Sequence, residues 1–172
     1  MNDTNCFKKG EIGEGIIINM IKNSYPNYDI LKHSIKDKAH WIDIIIMNKK
    51  NNDIRFVEVK TKARMNKFPM TGIDLKHYKE YLKLYLKTKI EILIYFIDDK
   101  IGNIYLLPIS KAIELENQDK YKTFKNGEII CWFLDDMKYI KKISENKIKE
   151  LTKYDERNYE FKPLISNNYL LE

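Results

Sequence analysis

The chain switches between two hydrophobic periods. Over residues 8–23, KKGEIGEGIIINMIKN, Glu14, Ile17, Ile18 and Ile21 recur at i, i+3, i+4 and i+7. That spacing predicts a helix with one apolar face despite Gly13 and Gly15. Pro26 ends it. The period then shortens. YDILKHS (28–34) and HWIDIIIMN (40–48) read as strands, KKNND as a turn, and DIRFVEVKTK (53–62) as the returning arm of a hairpin. After a loop holding Pro69, Thr71 and Asp74 have the spacing of a capping box. They predict a helix over 71–89 whose apolar stripe is Leu75, Tyr78, Leu82 and Tyr85. IEILIYFI (90–97) is the continuous run of a buried strand, and NIYLLPI (103–109) a further strand, placed at a sheet edge by Pro108. EIICWFL (128–134) predicts another strand and 144–157 a last helix. The order α-β-β-β-α-β with additions predicts a mixed α/β fold. We read one domain over 1–172, with a core at about 8–110 and C-terminal additions at about 111–172.

Composition changes this picture little. The 172 residues, 44% hydrophobic and 33% charged, are enough for one real core. No apolar run approaches the roughly 20 residues of a membrane span, and the opening MNDTNCFKKGE has no secretory apolar region. Cys6 and Cys131 match no metal-ligand spacing and are expected as free thiols, hence a cytoplasmic location. The net charge of +6 admits nucleic acid as a partner, although a lysine-rich surface also serves solubility. Only Arg55, Arg64 and Arg157 are arginines among the 31 basic residues. Lysine meets phosphate as a point charge, so contact with DNA would lean on backbone and shape more than on base sequence.

Charge enters the hairpin at one end. A turn centred on Asn51 and Asn52 would set Asp43 opposite Lys60 and Ile45 opposite Glu58. Asp43, Ile45, Met47, Phe56, Glu58 and Lys60 then share one face, and Ile42, Ile44, Ile46, Val57 and Val59 form a purely apolar one. Asp43, Glu58 and Lys60 therefore converge. Two neighbouring carboxylates repel unless a cation intervenes. Two readings fit: a partly buried Asp–Lys–Glu salt-bridge network, or a pair of hard oxygen ligands for Mg²⁺ with a lysine beside it. Asp98-Asp99 and Asp135-Asp136, at turns, read as solvated, and His40 as a surface residue at a strand start.

Asp43 followed by Glu58-Val59-Lys60, after a helix carrying Glu14, resembles the PD-(D/E)xK nuclease superfamily, whose core order is α-β-β-β-α-β. GEIGEG, IDIIIMN and FVEVKTK are also similar to small bacterial nuclease-like and Holliday-junction-resolvase-like members. The resemblance covers about residues 8–110. It implies a restriction-endonuclease-like fold and a Mg²⁺-dependent DNA endonuclease, with Mn²⁺ substituting. By that likeness Asp43, Glu58 and Glu14 hold the metal, Glu11 being the alternative to Glu14, and Lys60 positions or activates water. Ile42 stands where many members have the motif's proline. His77 and Tyr81, four apart on one helical face, stand near the superfamily's Gln-x-x-x-Tyr pair. With Lys62, Arg64 and Lys67, just beyond the Glu-x-Lys strand, they are the candidates for contact with nucleic acid. Selectivity for junction or branched DNA stays open; cutting both strands, or resolving a junction, would need a homodimer. A phage, mobile-element, repair, recombination or defence setting stays open. So does the alternative of an inactive nuclease-fold module that binds nucleic acid or protein.

Overall fold

A computed structural model describes residues 3–32, 42–62, 64–65 and 68–154. Helix α1 (Asp3–Ser24) leads into β1 (Tyr28–Lys32), β2 (Ile44–Asn48) and β3 (Ile54–Thr61). The strand β4 (Met70–Asp74), helix α2 (Leu75–Thr88), β5 (Ile92–Ile97) and β6 (Asn103–Pro108) follow. The chain continues through α3 (Ile109–Asn117), β7 (Lys122–Phe124), β8 (Ile129–Phe133), a short 3-10 turn at Leu134–Asp136, β9 (Lys138–Lys142) and α4 (Glu145–Thr152). The main sheet has the order β1-β2-β3-β5-β6-β9 and is mixed: only β3 and β5 run parallel. A parallel pair needs a crossover, and β4 with α2 supplies it. The expected mixed α/β class and helix-flanked sheet are observed.

Two cores follow from the two sheet faces. Ile44, Ile46, Val57 and Val59 pack against Ile16, Ile17, Met20 and Ile21 of α1. On the other side Ile92, Ile94, Phe96 and Leu107 meet Tyr78 and Tyr81 of α2, Ala112 and Leu115 of α3, and Trp132. Trp132 belongs to the small antiparallel sheet β4-β8-β7, and its ring meets Tyr78 edge-on at 5.2 Å. Gly13 lets α1 press on β3, since a Cβ there would sit 2.0 Å from Thr61 Oγ1.

Several expectations shift. The helix foreseen from residue 71 begins only at Leu75, because Met70–Asp74 pairs with β8 as a strand. Thr71 is therefore no cap; Asp74 occupies the N-cap position without a side-chain capping bond. The buried stripe of α2 is Tyr78 and Tyr81, with Leu82 and Tyr85 half-covered at its sides. β6 is not an edge strand, since β9 pairs with it. That pairing ends at Leu106, so Pro108, two residues on, faces no donor requirement there. The strand β9 and the helix α3 lay outside the local periodicities read above.

Candidate active site

The hairpin β2–β3 turns through Lys49–Asn52, closed by Asn48 N–H donating to the Asp53 carbonyl, with Asn52 at φ 55°. Its register pairs Ile44 with Val57 and Ile45 with Phe56. This corrects the expected pairing by two residues. The reason is the loop: its centre lies one position earlier than Asn51-Asn52, so every partner moves by two. An even shift preserves the faces of the paired residues, but Ile42, ahead of the bend at Asp43, packs with the α2 cluster and not with Ile44 and Ile46 as expected. Ile45 and Phe56 pack toward α2, while Ile44 and Val57 pack toward α1. Glu58 and Lys60 follow Phe56 at the strand period and so look toward α2.

The β2–β3 ladder stops at Ile44–Val57. Beyond it the Val59 N–H on β3 has no strand partner from β2, and Asp43, in the bend just before β2, takes it: Oδ2 accepts at 2.7 Å. Asp43 thus bridges to the residue between Glu58 and Lys60. Glu58 is buried, 4% exposed. Its Oε1 accepts two hydrogen bonds, from Lys60 Nζ at 2.5 Å and from the Tyr81 hydroxyl at 2.7 Å. Its Oε2 is buried with no hydrogen-bond partner. Lys60 Nζ also lies 6.0 Å from the Tyr81 ring centroid. Burial pulls the Lys60 pKa down, but the charge and hydrogen bond of Glu58, aided by Asp43 and Asp74, outweigh it and hold it above the ordinary lysine value. Lys60 is thus firmly cationic. Burial, then the neighbouring charge of Glu58, pushes the Tyr81 phenol far above its usual range, so it remains a donor.

The remaining candidates distribute unevenly. Tyr81 is 2% exposed and lies behind Glu58, which corrects its expected place on a surface facing nucleic acid. His77, one helical turn earlier, is partly exposed with Nδ1 3.8 Å from Asp74. Burial and the charge of Lys60 lower its pKa, so it is neutral at pH 7. Lys62 and Arg64 are half-buried, and Arg64 Nε stands 3.8 Å from Asp98 Oδ2. Glu14 is half-buried on α1, next to the Gly13 that touches Thr61, and Glu11 is exposed. Among the described residues no three His, Cys, Asp or Glu side chains form a metal-holding group, so Glu14 does not join Asp43 and Glu58 in a three-carboxylate cluster. Lys67 and His40 lie outside the described residues.

Asp98 and Asp99 correct a further expectation: they are buried, 4% and 0% exposed. Lys9 of α1 forms a buried salt bridge with Asp99, and Asp98 Oδ1 accepts the backbone N–H groups of Lys100 and Ile101. Cys131 is a buried free thiol, as expected. Among the described residues no helix is long and apolar enough to cross a membrane.

The residues fit a hard divalent ion on one observation. Glu58 keeps a buried, undonated carboxylate oxygen, the Asp43 carboxylate accepts from the next residue, Val59, and both charges act on Lys60; Mg²⁺ is commonly held by one or two carboxylates plus water and phosphate oxygens. No family model matches the chain, and no curated protein matches it in sequence. Among solved structures it is similar to Hjc, a Holliday junction resolvase from the archaeal hyperthermophile Archaeoglobus fulgidus, at 8% identity and TM-score 0.45, over 82% of this chain and 93% of that one. It is also similar to a nuclease from a fusselovirus, at 11% identity and TM-score 0.47, over 83% of this chain and 87% of that one. The elements run α1-β1-β2-β3-α2-β5 around one mixed sheet, with Asp43 before β2 and Glu58 and Lys60 on β3, in the order expected from the sequence.

Proposed function

We propose that the chain is a metal-dependent DNA endonuclease in which Asp43 and Glu58 hold Mg²⁺, or Mn²⁺ in its place. The observation that carries this reading is the buried, undonated Oε2 of Glu58, one residue from the Val59 N–H that Asp43 accepts. Leaving a buried acceptor unsatisfied is costly, and a cation removes that cost. When bound, the ion supplies charge stabilisation at the phosphate. The other roles belong to the chain. Lys60, held cationic by Glu58, orients the attacking water and offsets charge building on the phosphate. Lys62 and Arg64, just past the end of β3, meet the DNA backbone, as does His77 at the open side of α2. Lys67 belongs to the same group. Glu14 is kept as an outer contributor, acting through water. A homodimer with two such sites would serve double-strand or junction cutting.

The test is cleavage of duplex, flap, four-way-junction and single-stranded DNA with Mg²⁺ or Mn²⁺, alongside metal calorimetry. Asp43→Ala is expected to lose both metal and activity. Lys60→Ala should retain metal yet cleave about a hundredfold more slowly, the size typical of losing one preorganised electrostatic group. The Lys60–Glu58 pair also fits a purely structural salt bridge in an inactive binding module. That reading predicts no cleavage by the wild type and a loss of stability in Lys60→Ala. Wild-type cleavage unchanged in Lys60→Ala overturns the role given to this lysine.

A further inference from the structure

The two oxygens of Glu58 are treated differently. Oε1 receives both Lys60 and Tyr81, and Oε2 receives neither. Nothing in glutamate itself makes that distinction, because its terminal torsion is broad and nearly two-fold. Lysine does not impose it either, since a point charge on a flexible four-carbon stem can follow whichever oxygen is offered. Tyr81 is the rigid member. Its ring is buried between α2 and the sheet, 2% exposed, and its one donor ends 2.7 Å from Oε1.

We propose that Tyr81 is a positioning residue that decides which oxygen of Glu58 is presented to the divalent ion. Holding Oε1 from the protein side keeps the carboxylate from rotating and confines Lys60 to that same oxygen. Oε2 is thereby reserved for the ion. The ring contributes a second constraint, because the Lys60 ammonium lies 6.0 Å from its centroid. Without the hydroxyl, Lys60 can move across both oxygens and compete with the metal for them. This inference rests on the reading of Asp43 and Glu58 as the metal-holding pair.

The fold provides its own control. Tyr78, one turn earlier on α2 and equally buried, also donates to a carboxylate, Glu116 Oε2 at 2.5 Å, outside the Asp43–Glu58–Lys60 group. Mg²⁺ and Mn²⁺ affinities are measured by calorimetry on the full chain without DNA for the wild type, Tyr81→Phe and Tyr78→Phe. Tyr81→Phe is expected to bind metal about 10- to 100-fold more weakly, the usual effect of removing a group that orients a ligand. Its cleavage should recover largely when metal is raised. Tyr78→Phe should bind metal as the wild type does, whatever it loses in stability. A second readout needs no variant. With tyrosine isotope labelling of the wild type, saturating Mg²⁺ should move the Tyr81 ring resonances and leave those of Tyr78 in place. Wild-type metal affinity in folded Tyr81→Phe overturns the inference alone. So does a Tyr81 resonance that ignores Mg²⁺ in a wild type that binds it. A wild type that takes no metal overturns the nuclease reading, and this inference with it.

Discussion

Gly13 and Gly15 lie two apart on the same helix, and alanine should act on them with opposite sign. Glycine in a helix interior costs about 1 kcal/mol relative to alanine. At Gly15 an added Cβ meets nothing within 4 Å, so Gly15→Ala should gain about that amount. At Gly13 the same atom would stand 2.0 Å from Thr61 Oγ1 and 3.3 Å from Thr61 Cβ. Thr61 can turn its hydroxyl away, and that oxygen has no hydrogen bond to lose. Its Cβ cannot turn away, and β-branched side chains are stiff. The helix must then lift from β3 or Thr61 must leave its rotamer, an overpacking cost of about 1–3 kcal/mol. Set against the propensity gain, Gly13→Ala should lose about 1 kcal/mol, which puts the two variants about 2 kcal/mol apart. For a chain of this size that separates their melting temperatures by about 4–8 °C. Urea unfolding measures the same gap, and Thr61→Gly, which removes that Cβ, placed on top of Gly13→Ala should recover most of the overpacking loss, a coupling that a double-mutant cycle reads directly. A Gly13→Ala chain as stable as Gly15→Ala would refute the close approach of α1 to β3.

Three other perturbations have clear directions. Lys9→Met leaves the fully buried Asp99 without this cation and should cost about 3 kcal/mol in urea unfolding; an unchanged midpoint would show that the pair contributes nothing. Burial raises the Asp98 carboxyl above its ordinary value against the opposing Lys100 and Ile101 N–H groups and the Arg64 charge. Its stabilising contribution is thus complete below the unfolded value of about 3.9 and is lost as pH rises through the folded value. Asp98→Asn, which can still accept those N–H groups, should flatten that loss; parallel stability–pH curves for the two proteins would exclude it. Burial pushes the Cys131 thiol up to about 11, so in a Cys6→Ser background it should react with a disulfide reagent at pH 7 only as fast as the chain unfolds.

What was legible in the sequence was whatever depends on neighbours. The three-to-four-residue period drew α1, the alternation drew the hairpin, and the spacing of Asp43, Glu58 and Lys60 drew one face of it. The register was misjudged by two residues because loop geometry, not hydrophobicity, fixes it. An error of one residue would have swapped the faces of the paired strands; an error of two did not. What stayed hidden depends on partners far along the chain. Thr71–Asp74 looked like a helix start because β8, its partner strand, is contributed by residues 129–133. Asp98 and Asp99 looked like an exposed turn because the lysine that covers Asp99 is residue 9. Tyr81 looked like a surface residue paired with His77. Only the fold brings Glu58, 23 residues upstream, against its hydroxyl.

The seating of α1 has a consequence for how the chain is made. Its apolar face, Ile16, Ile17, Met20 and Ile21, is translated before the strands that cover it, and Asp99 trails Lys9 by 90 residues. At about 5–20 residues per second, translation leaves Lys9 without Asp99 for roughly 5–20 s. An isolated helix of 22 residues with three glycines is poor at holding its shape alone in water. Helix α1 is therefore a natural client for chaperones during synthesis, locked only once strands translated well after it arrive.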